Sequence, residues 1–320
     1  MDLRKKSRDE MKVVEYCCAL LNAGGGVLEM PIANFKSLKP PVSDLDTFWK
    51  RVEPNLKKLI EPQSYAEVFD REYDDVSGKV LLFIKRKPNH FYTWKFHLFF
   101  VGDSETSEAS YTQVKSVVIN KSSNHKDTLS SLPTLNEEFF SDKRVGFHES
   151  KQIQLKCYES QKLLDPHSNH KQCDNVRRAI SSIANGSGGV LVLGITDDGV
   201  AKGQNLEGDS KEAVVERVNT LISKMQWPPS VEPAQGKHWD VKFCPLKDKE
   251  NYFIIKIYVV RVPGGVFAKC PESFELHACE DSAEGQVHRL SFNEWHHRMV
   301  GGTDFQDTCS KGLCLLCTYF

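Results

Sequence analysis

Two distant stretches of this chain, VVEYCCALLNAGGGVLEM (Val13 to Met30) and VRRAISSIANGSGGVLVLGI (Val176 to Ile195), follow one pattern. Each sets apolar residues at helical spacing, reaches an asparagine, passes through three or four small residues and enters an apolar strand. The correspondence needs no gap: Asn22 and Asn185, Gly25 and Gly188, and Val27 and Val190 are all 163 residues apart. Self-similarity of this kind constrains the fold more than any other feature, because a repeated unit has to find comparable packing twice. Asparagine and glycine accept positive φ at a helix C-terminus, so the chain can turn sharply into a buried strand. The order of helix, glycines and strand is the reverse of the strand, glycine-rich turn and helix of phosphate-binding loops, which excludes a nucleotide loop here.

Similar parts follow each stretch more loosely. There is a second helix (DLDTFWKRVEPNLKKLI; KEAVVERVNTLISKM), then strands of β-branched and aromatic residues (KVLLFIKRK; NYFIIKIYVVRV), then a further strand pair. The polar run from Asn120 to Phe139 lacks apolar periodicity and reads as a connector. The expectation is an α+β protein of two pseudo-symmetric lobes, 1–119 and 140–320, joined by 120–139 and able to face each other across a groove. Two unrelated α+β halves with coincident glycines are the alternative.

Composition narrows the class. A length of 320 residues is too much for one small core, and 40% hydrophobic with 27% charged residues excludes global disorder. Lys plus Arg (42) balances Asp plus Glu (43), so any nucleic-acid face must come from local segregation of charge. No apolar run is long enough to span a bilayer, and the charged start MDLRKKSRDEMK has no signal core behind it, which reads as cytoplasmic. The ten cysteines are scattered, several on apolar stretches (Cys17, Cys18, Cys157, Cys244), and read as buried thiols.

Carboxylates supply the chemistry. Glu149 lies at the start of the strand KQIQLKCY, and Asp197 and Asp198 follow the strand VLVLGI. Adjacent strands would bring these ends together, and clustered carboxylates suit Mg2+ or Mn2+, which take oxygen ligands and stabilise the charge of phosphodiester cleavage. Solvated turn acids are the alternative.

At these residues the chain resembles the Schlafen core domain. FHESKQIQLK is similar to that family's F-x-E-S-x-x-V-E-F-K element, and NGSGGVLVLGITDD to its N-T-x-G-G-Y-x-x-I-G-V-D-D element. VFAKCPESFEL and HRLSFNEWHHRM resemble its V-F-A-x-A-P-D-S-W and R-L-T-x-x-x-W segments, in the same order, and the length fits a short Schlafen without a helicase portion. The resemblance implies a U-shaped two-lobed core that binds tRNA or other structured RNA in a positively lined valley. In longer members it implies a metal-dependent endoribonuclease with three acids.

Carried over position by position, those acids fall on Glu149, Gln154 and Asp197, so an amide replaces the middle one. Losing one acid-base or ligand carboxylate costs roughly 10² to 10⁴ in rate, and Glu159 and Asp198 are the acids nearby. The family's structural zinc site falls on Lys242 and Cys244 and on Pro263, Gly264 and Gly265, leaving one ligand of four, and one thiolate cannot build a tetrahedral site. Cys314 and Cys317 have metal-like spacing but no second pair, and read as a packing tail.

RNA binding needs cations that track phosphates. One cluster is Lys50, Arg51, Lys57 and Lys58 on the second helix. Another is Lys85, Arg86, Lys87 and Lys95, interleaved with His90, Tyr92 and Trp94; Phe83, Phe91, Trp94 and Phe96 also read as core. A third is Lys151, Lys156, Arg177 and Arg178. Each cluster alone also reads as a solvated face or a lysine-guarded sheet edge. His148, beside Glu149, has the chemistry of a general base for metal-free cleavage, but it reads more often as a surface or packing histidine, as does the pair His296 and His297.

The leading expectation is an RNA-binding protein, for tRNA above all, acting on translation or cell growth. It requires no cofactor. The alternatives are an endoribonuclease using Glu149, Asp197 and Mg2+ or Mn2+, and a module whose groove holds protein partners; no membrane partner is expected.

Overall fold

A computed structural model describes residues 8–32, 42–60, 64–86, 90–101, 106–119, 128–135, 138–158, 163–165, 167, 170–278, 285–301 and 316–318. In chain order, α1 (Arg8–Ala23) and β1 (Gly25–Pro31) precede α2 (Val42–Leu56), the short α3 (Tyr65–Val68), β2 (Phe69–Asp74) and β3 (Lys79–Lys85). Next come β4 (Phe99–Val101), β5 (Thr106–Glu108), α4 (Tyr111–Ile119) and β6 (Ile153–Lys156). They are followed by α5 (His170–Asn185), β7 (Gly189–Leu193), β8 (Gln204–Asn205), α6 (Lys211–Ser223), β9 (Trp239–Pro245) and β10 (Tyr252–Val259). The last are β11 (Phe274–Ala278), β12 (Gly285–Arg289), α7 (Phe292–Gly301) and β13 (Leu316–Thr318). This mixture of helices with separate, largely antiparallel sheets is the α+β class the sequence predicts.

The chain condenses into two units that do not follow the linear division at 120–139. One unit is Met1–Lys95 with Pro271–Phe320, and the other is Phe96–Cys270. Stretch 96–119, expected in the first lobe, belongs to the second unit, and everything from Pro271 onward belongs to the first. Packing explains the exchange: β11 lies against α1, whereas β4 lies against α5.

In the first unit the sheet order is β13-β1-β3-β2, with β13 parallel to β1 and the remaining pairs antiparallel. Val13, Val14, Cys17, Cys18, Leu20 and Leu21 fall on one stripe of α1 and are fully buried, packing against Phe48, Val52 and Leu56 of α2 and Leu28 and Met30 of β1. Gly25 has φ of +97°, and a Cβ there would lie 2.6 Å from the Ile84 carbonyl oxygen. Its counterpart Gly188 has φ of +71°. Both repeat turns therefore use the left-handed backbone that the spacing of their glycines predicts. Helix α7 docks through fully buried Trp295, whose indole N–H donates to Thr93 Oγ1 at 2.9 Å.

Burial pushes the Cys18 thiol up to about 12 and raises Cys17 as well. Because the thiolate is the reactive form, both should resist iodoacetamide at pH 8 in the folded protein and react once it is unfolded, while the half-exposed Cys157, Cys244 and Cys270 react before them. Mass-spectrometric mapping of labelled peptides checks this order.

In the second unit, β6 runs parallel to β7, β10 is antiparallel to β7, and β9 is antiparallel to β10; β8 pairs with the start of β10. Every residue of β7 is buried, as a central strand covered on both faces requires. Val176, Ile180 and Ile183 of α5 and Val214, Val218 and Ile222 of α6 complete the core.

The two repeat asparagines are clamps. In the first unit, Asn22 Oδ1 accepts from the Tyr92 N–H at 2.8 Å, and Nδ2 donates to the carbonyls of Phe274 at 2.9 Å and Tyr92 at 3.1 Å. In the second, Asn185 Oδ1 accepts from the Val266 N–H at 2.8 Å, and Nδ2 donates to the carbonyls of Val266 at 2.9 Å and Phe99 at 3.3 Å. One amide can serve an N–H and two carbonyls because it carries both donor and acceptor groups.

Candidate functional site

Strand β6 is an edge strand, and its backbone groups alternate in direction. The Gln152 and Lys156 carbonyls accept from Val190 and Gly194 N–H at 2.8 and 2.7 Å, which leaves the N–H and C=O of Leu155 pointing away from the sheet. The chain satisfies both locally. The Leu155 N–H donates to Glu149 Oε1 at 2.8 Å, and Lys156 Nζ donates to the Leu155 carbonyl at 2.6 Å. Ser150 and Ile153 exchange backbone bonds at 2.8 and 3.3 Å, folding the preceding turn back along the edge. Glu149 is thus first of all a cap on an open strand edge.

The same ammonium gathers the two carboxylates. Lys156 Nζ lies 3.5 Å from Glu149 Oε1 and 3.4 Å from Asp197 Oδ1. Asp197 sits in the loop after β7, where Thr196 Oγ1 donates to Asp198 and accepts from the Val200 N–H at 3.0 Å. That hydroxyl, with weaker help from Arg144 and Lys202, holds the Asp198 carboxyl below the usual range. Asp198 is therefore engaged within its own turn.

A strap at 139–145 runs along this loop. Asp142 and Val145 N–H donate to the Ala201 and Gly199 carbonyls at 2.8 and 3.0 Å, and the Ala201 N–H donates back to Lys143 at 2.9 Å. Ser141 anchors the strap through Asp248 at 2.8 and 2.7 Å, and Lys202 pairs with Asp142 at 2.6 Å. The strap presents Lys143 and Arg144, both exposed, beside the acidic loop. Neither is among the cations that the sequence singles out, although the Lys-Arg pair stands just before Phe147, because the stretch from the connector at 120–139 to Glu149 carries no helical or strand pattern.

Gln154 is built into the core. It is 5% exposed, and its Nε2 donates to Ser182 Oγ of α5 at 2.8 Å and to Thr106 Oγ1 of β5 at 3.3 Å. The amide nitrogen is committed to those hydroxyls and not to the carboxylates. The donor set does not fit the three-acid metal site of the resemblance: Glu149 and Asp197 are bridged by an ammonium, and no group of three His, Cys, Asp or Glu able to hold a metal occurs among the described residues. Lys242 and Cys244 lie on β9, with Lys242 Nζ over the Tyr258 ring at 5.2 Å, and Pro263 to Gly265 form the turn after β10. Glu159, Lys87 and Cys314 lie outside the described residues, as does the side chain of Cys317.

The predicted cations divide into two groups. Arg51 pairs with Glu10 at 2.5 Å, Lys57 with Glu53 at 2.6 Å, Lys95 with Glu272 at 3.5 Å, and Arg177 with Asp174. Lys95 also covers Trp94, and Arg86 is half-buried. Lys50, Lys85, Lys151 and Arg178 are exposed, with Arg178 over the Phe99 ring; Lys58 is exposed and donates to Asn55. Lys57 and Lys58 lie in the turn beyond α2 and not on the helix: the Lys57 N–H still bonds the Glu53 carbonyl at 2.9 Å, but the Lys58 N–H turns to the Asn55 carbonyl in a tighter turn at 3.2 Å. Tyr92 and Trp94 of the first unit are buried core residues, as is Phe96 of the second, so none of these three rings is placed to stack on bases. His148 and His297 are exposed, and His296 packs on Phe292.

Residues 149–283 match the family model described as Schlafen, AlbA_2. The match opens on Glu149 itself and spans β6 to β11, rather less than half of the chain, and it supports membership of the Schlafen family. A domain of this kind points to nucleic-acid-related function in that family. No helix among the described residues is long and apolar enough to cross a membrane.

Proposed function

We propose that this protein binds tRNA or another structured RNA and acts by occupying it, on translation or cell growth, without cleaving it. One observation carries the reading: within the unit that holds most of the Schlafen, AlbA_2 match, Lys143, Arg144, Lys151 and Arg178 are exposed and form no ion pair with a carboxylate among the described residues. Such cations are what a phosphate backbone takes up, and each phosphate contact releases counterions, so affinity falls with salt. Formal net charge of -1 implies moderate, strongly salt-sensitive binding.

The free and paired cations make different predictions. Reversing Lys143, Arg144 and Lys151 together to Glu should weaken tRNA binding at least about tenfold and flatten the log Kd against log salt slope by about 2. Neutralising Lys57 and Lys95 should change affinity less than about twofold, because their charge is already balanced by Glu53 and Glu272. Filter binding from 50 to 300 mM salt measures both. Absence of any salt-dependent tRNA complex, with RNA-independent capture of a protein partner, would sink the proposal in favour of a protein-binding module. Incubation of tRNA with Mn2+ should give no products above those of the Glu149→Ala, Asp197→Ala double variant; products above that level would favour the endoribonuclease.

A further inference from the structure

We infer that Lys156 is a built-in cation that closes the Glu149 and Asp197 carboxylates against divalent metal ions, so that the cluster is an ionic latch on the β6 edge and not a metal centre. The inference concerns the same loop as the binding reading but is tested without RNA. Three contacts carry it. Lys156 Nζ is bonded at 2.6 Å to the Leu155 carbonyl, which fixes the ammonium at the strand edge. From there it lies 3.5 and 3.4 Å from the two carboxylates. The Glu149 oxygen that faces it is also the acceptor for the Leu155 N–H, so the N–H of Leu155 holds the carboxylate while its carbonyl holds the ammonium.

The electrostatics follow from the count of charges. Two carboxylates around an ammonium present a net charge of one negative, half of what the pair would offer a hard cation alone, and the ammonium sits within ligand distance of the space between them. A divalent ion entering there has to displace Lys156 from its carbonyl and meet a positive charge at close range. Gln154 adds no third carboxylate, and its Nε2 is bonded to Ser182 and Thr106. Asp198 is turned onto Thr196, with the cations Arg144 and Lys202 nearby, and Asp142 beside the loop is itself paired with Lys202.

Mn2+ titration followed by electron paramagnetic resonance tests the latch directly. The wild-type chain is expected to show no stoichiometric Mn2+ site, and Glu149→Gln should leave its weak background binding unchanged. Lys156→Met should create one site at least tenfold tighter than that background, and adding Glu149→Gln to Lys156→Met should abolish it. A stoichiometric site in the wild type that is lost in Glu149→Gln overturns the inference, as does a folded Lys156→Met variant that gains nothing or keeps its gain in the double variant. If Lys156→Met fails to fold, the wild-type and Glu149→Gln titrations still decide, because an open metal site must lose affinity with that carboxylate. These outcomes are independent of tRNA affinity, so the latch and the binding reading can fail separately.

Discussion

Replacing Asn22 or Asn185 by alanine is expected to destabilise its unit by about 3 kcal/mol or more, the largest loss from any single substitution considered. Each amide serves backbone groups that have no water to turn to: Asn22 holds the Tyr92 N–H and the Phe274 carbonyl, and is itself buried. A buried polar group left without a partner costs about 1–3 kcal/mol, and at least two are orphaned at once. Asn22→Asp is the sharper variant. It keeps the acceptor for Tyr92 but sets a second carboxylate oxygen against the Phe274 and Tyr92 carbonyls, so it should be no better than alanine. Urea unfolding gives the answer through the midpoint, and a loss below about 1 kcal/mol in both positions would show that the clamps are incidental.

Gln154→Glu should behave as a destabilising core substitution and should not restore a nuclease. Ser182 Oγ donates its proton to the Ala179 carbonyl at 2.8 Å, so it meets Gln154 Nε2 with a lone pair. A carboxylate in place of the amide faces that lone pair and is 95% shielded from water. The expected cost is about 1–3 kcal/mol at pH 7. The pH dependence has a definite sign. Burial raises the folded-state pKa of the introduced carboxyl above its unfolded value of about 4.3, and the neutral acid can donate to Ser182. The deficit relative to wild type should therefore be small near pH 4 and grow as pH rises through the folded-state value. Thermal melts of both proteins from pH 4 to 8 measure it. A variant as stable as wild type at pH 8, with new Mn2+-dependent tRNA cleavage, would show instead that the position opens onto the carboxylates.

Much of the local architecture was legible because it is written in short-range patterns. The stripe Val13, Val14, Cys17, Leu21 can only be one face of a helix, and Val190 to Leu193 can only be a strand buried on both sides. The glycines after Asn22 and Asn185 announced positive φ correctly, since backbone sterics act within a residue. Glu149 and Asp197 share one ammonium, but strand pairing alone does not bring them there: parallel pairing sets the start of β6 beside the start of β7, and the turn at Ser150 to Ile153 folds Glu149 back along the edge to Leu155 and Lys156.

What could not be read was how charge is spent. Arg51, Lys57, Lys95 and Arg177 looked like phosphate ligands, yet each sits on a carboxylate. Lys57 and Glu53 are four apart, and Arg177 and Asp174 three apart, so those pairs were within reach of helix spacing. Arg51 with Glu10 and Lys95 with Glu272 were not, because their partners are 41 and 177 residues away.

The sequence by itself determined the two helix, asparagine, glycine and strand segments, since periodicity and permitted φ are properties of neighbouring residues. Only the tertiary structure decided what those asparagines hold, Tyr92 with Phe274 in one unit and Val266 with Phe99 in the other, and that the stretches after Lys95 and Cys270 exchange units. It alone decided that Lys156 stands between Glu149 and Asp197. Such pairings are set by which strand lies beside which and where the edge of a sheet falls, and those depend on burying the whole chain at once.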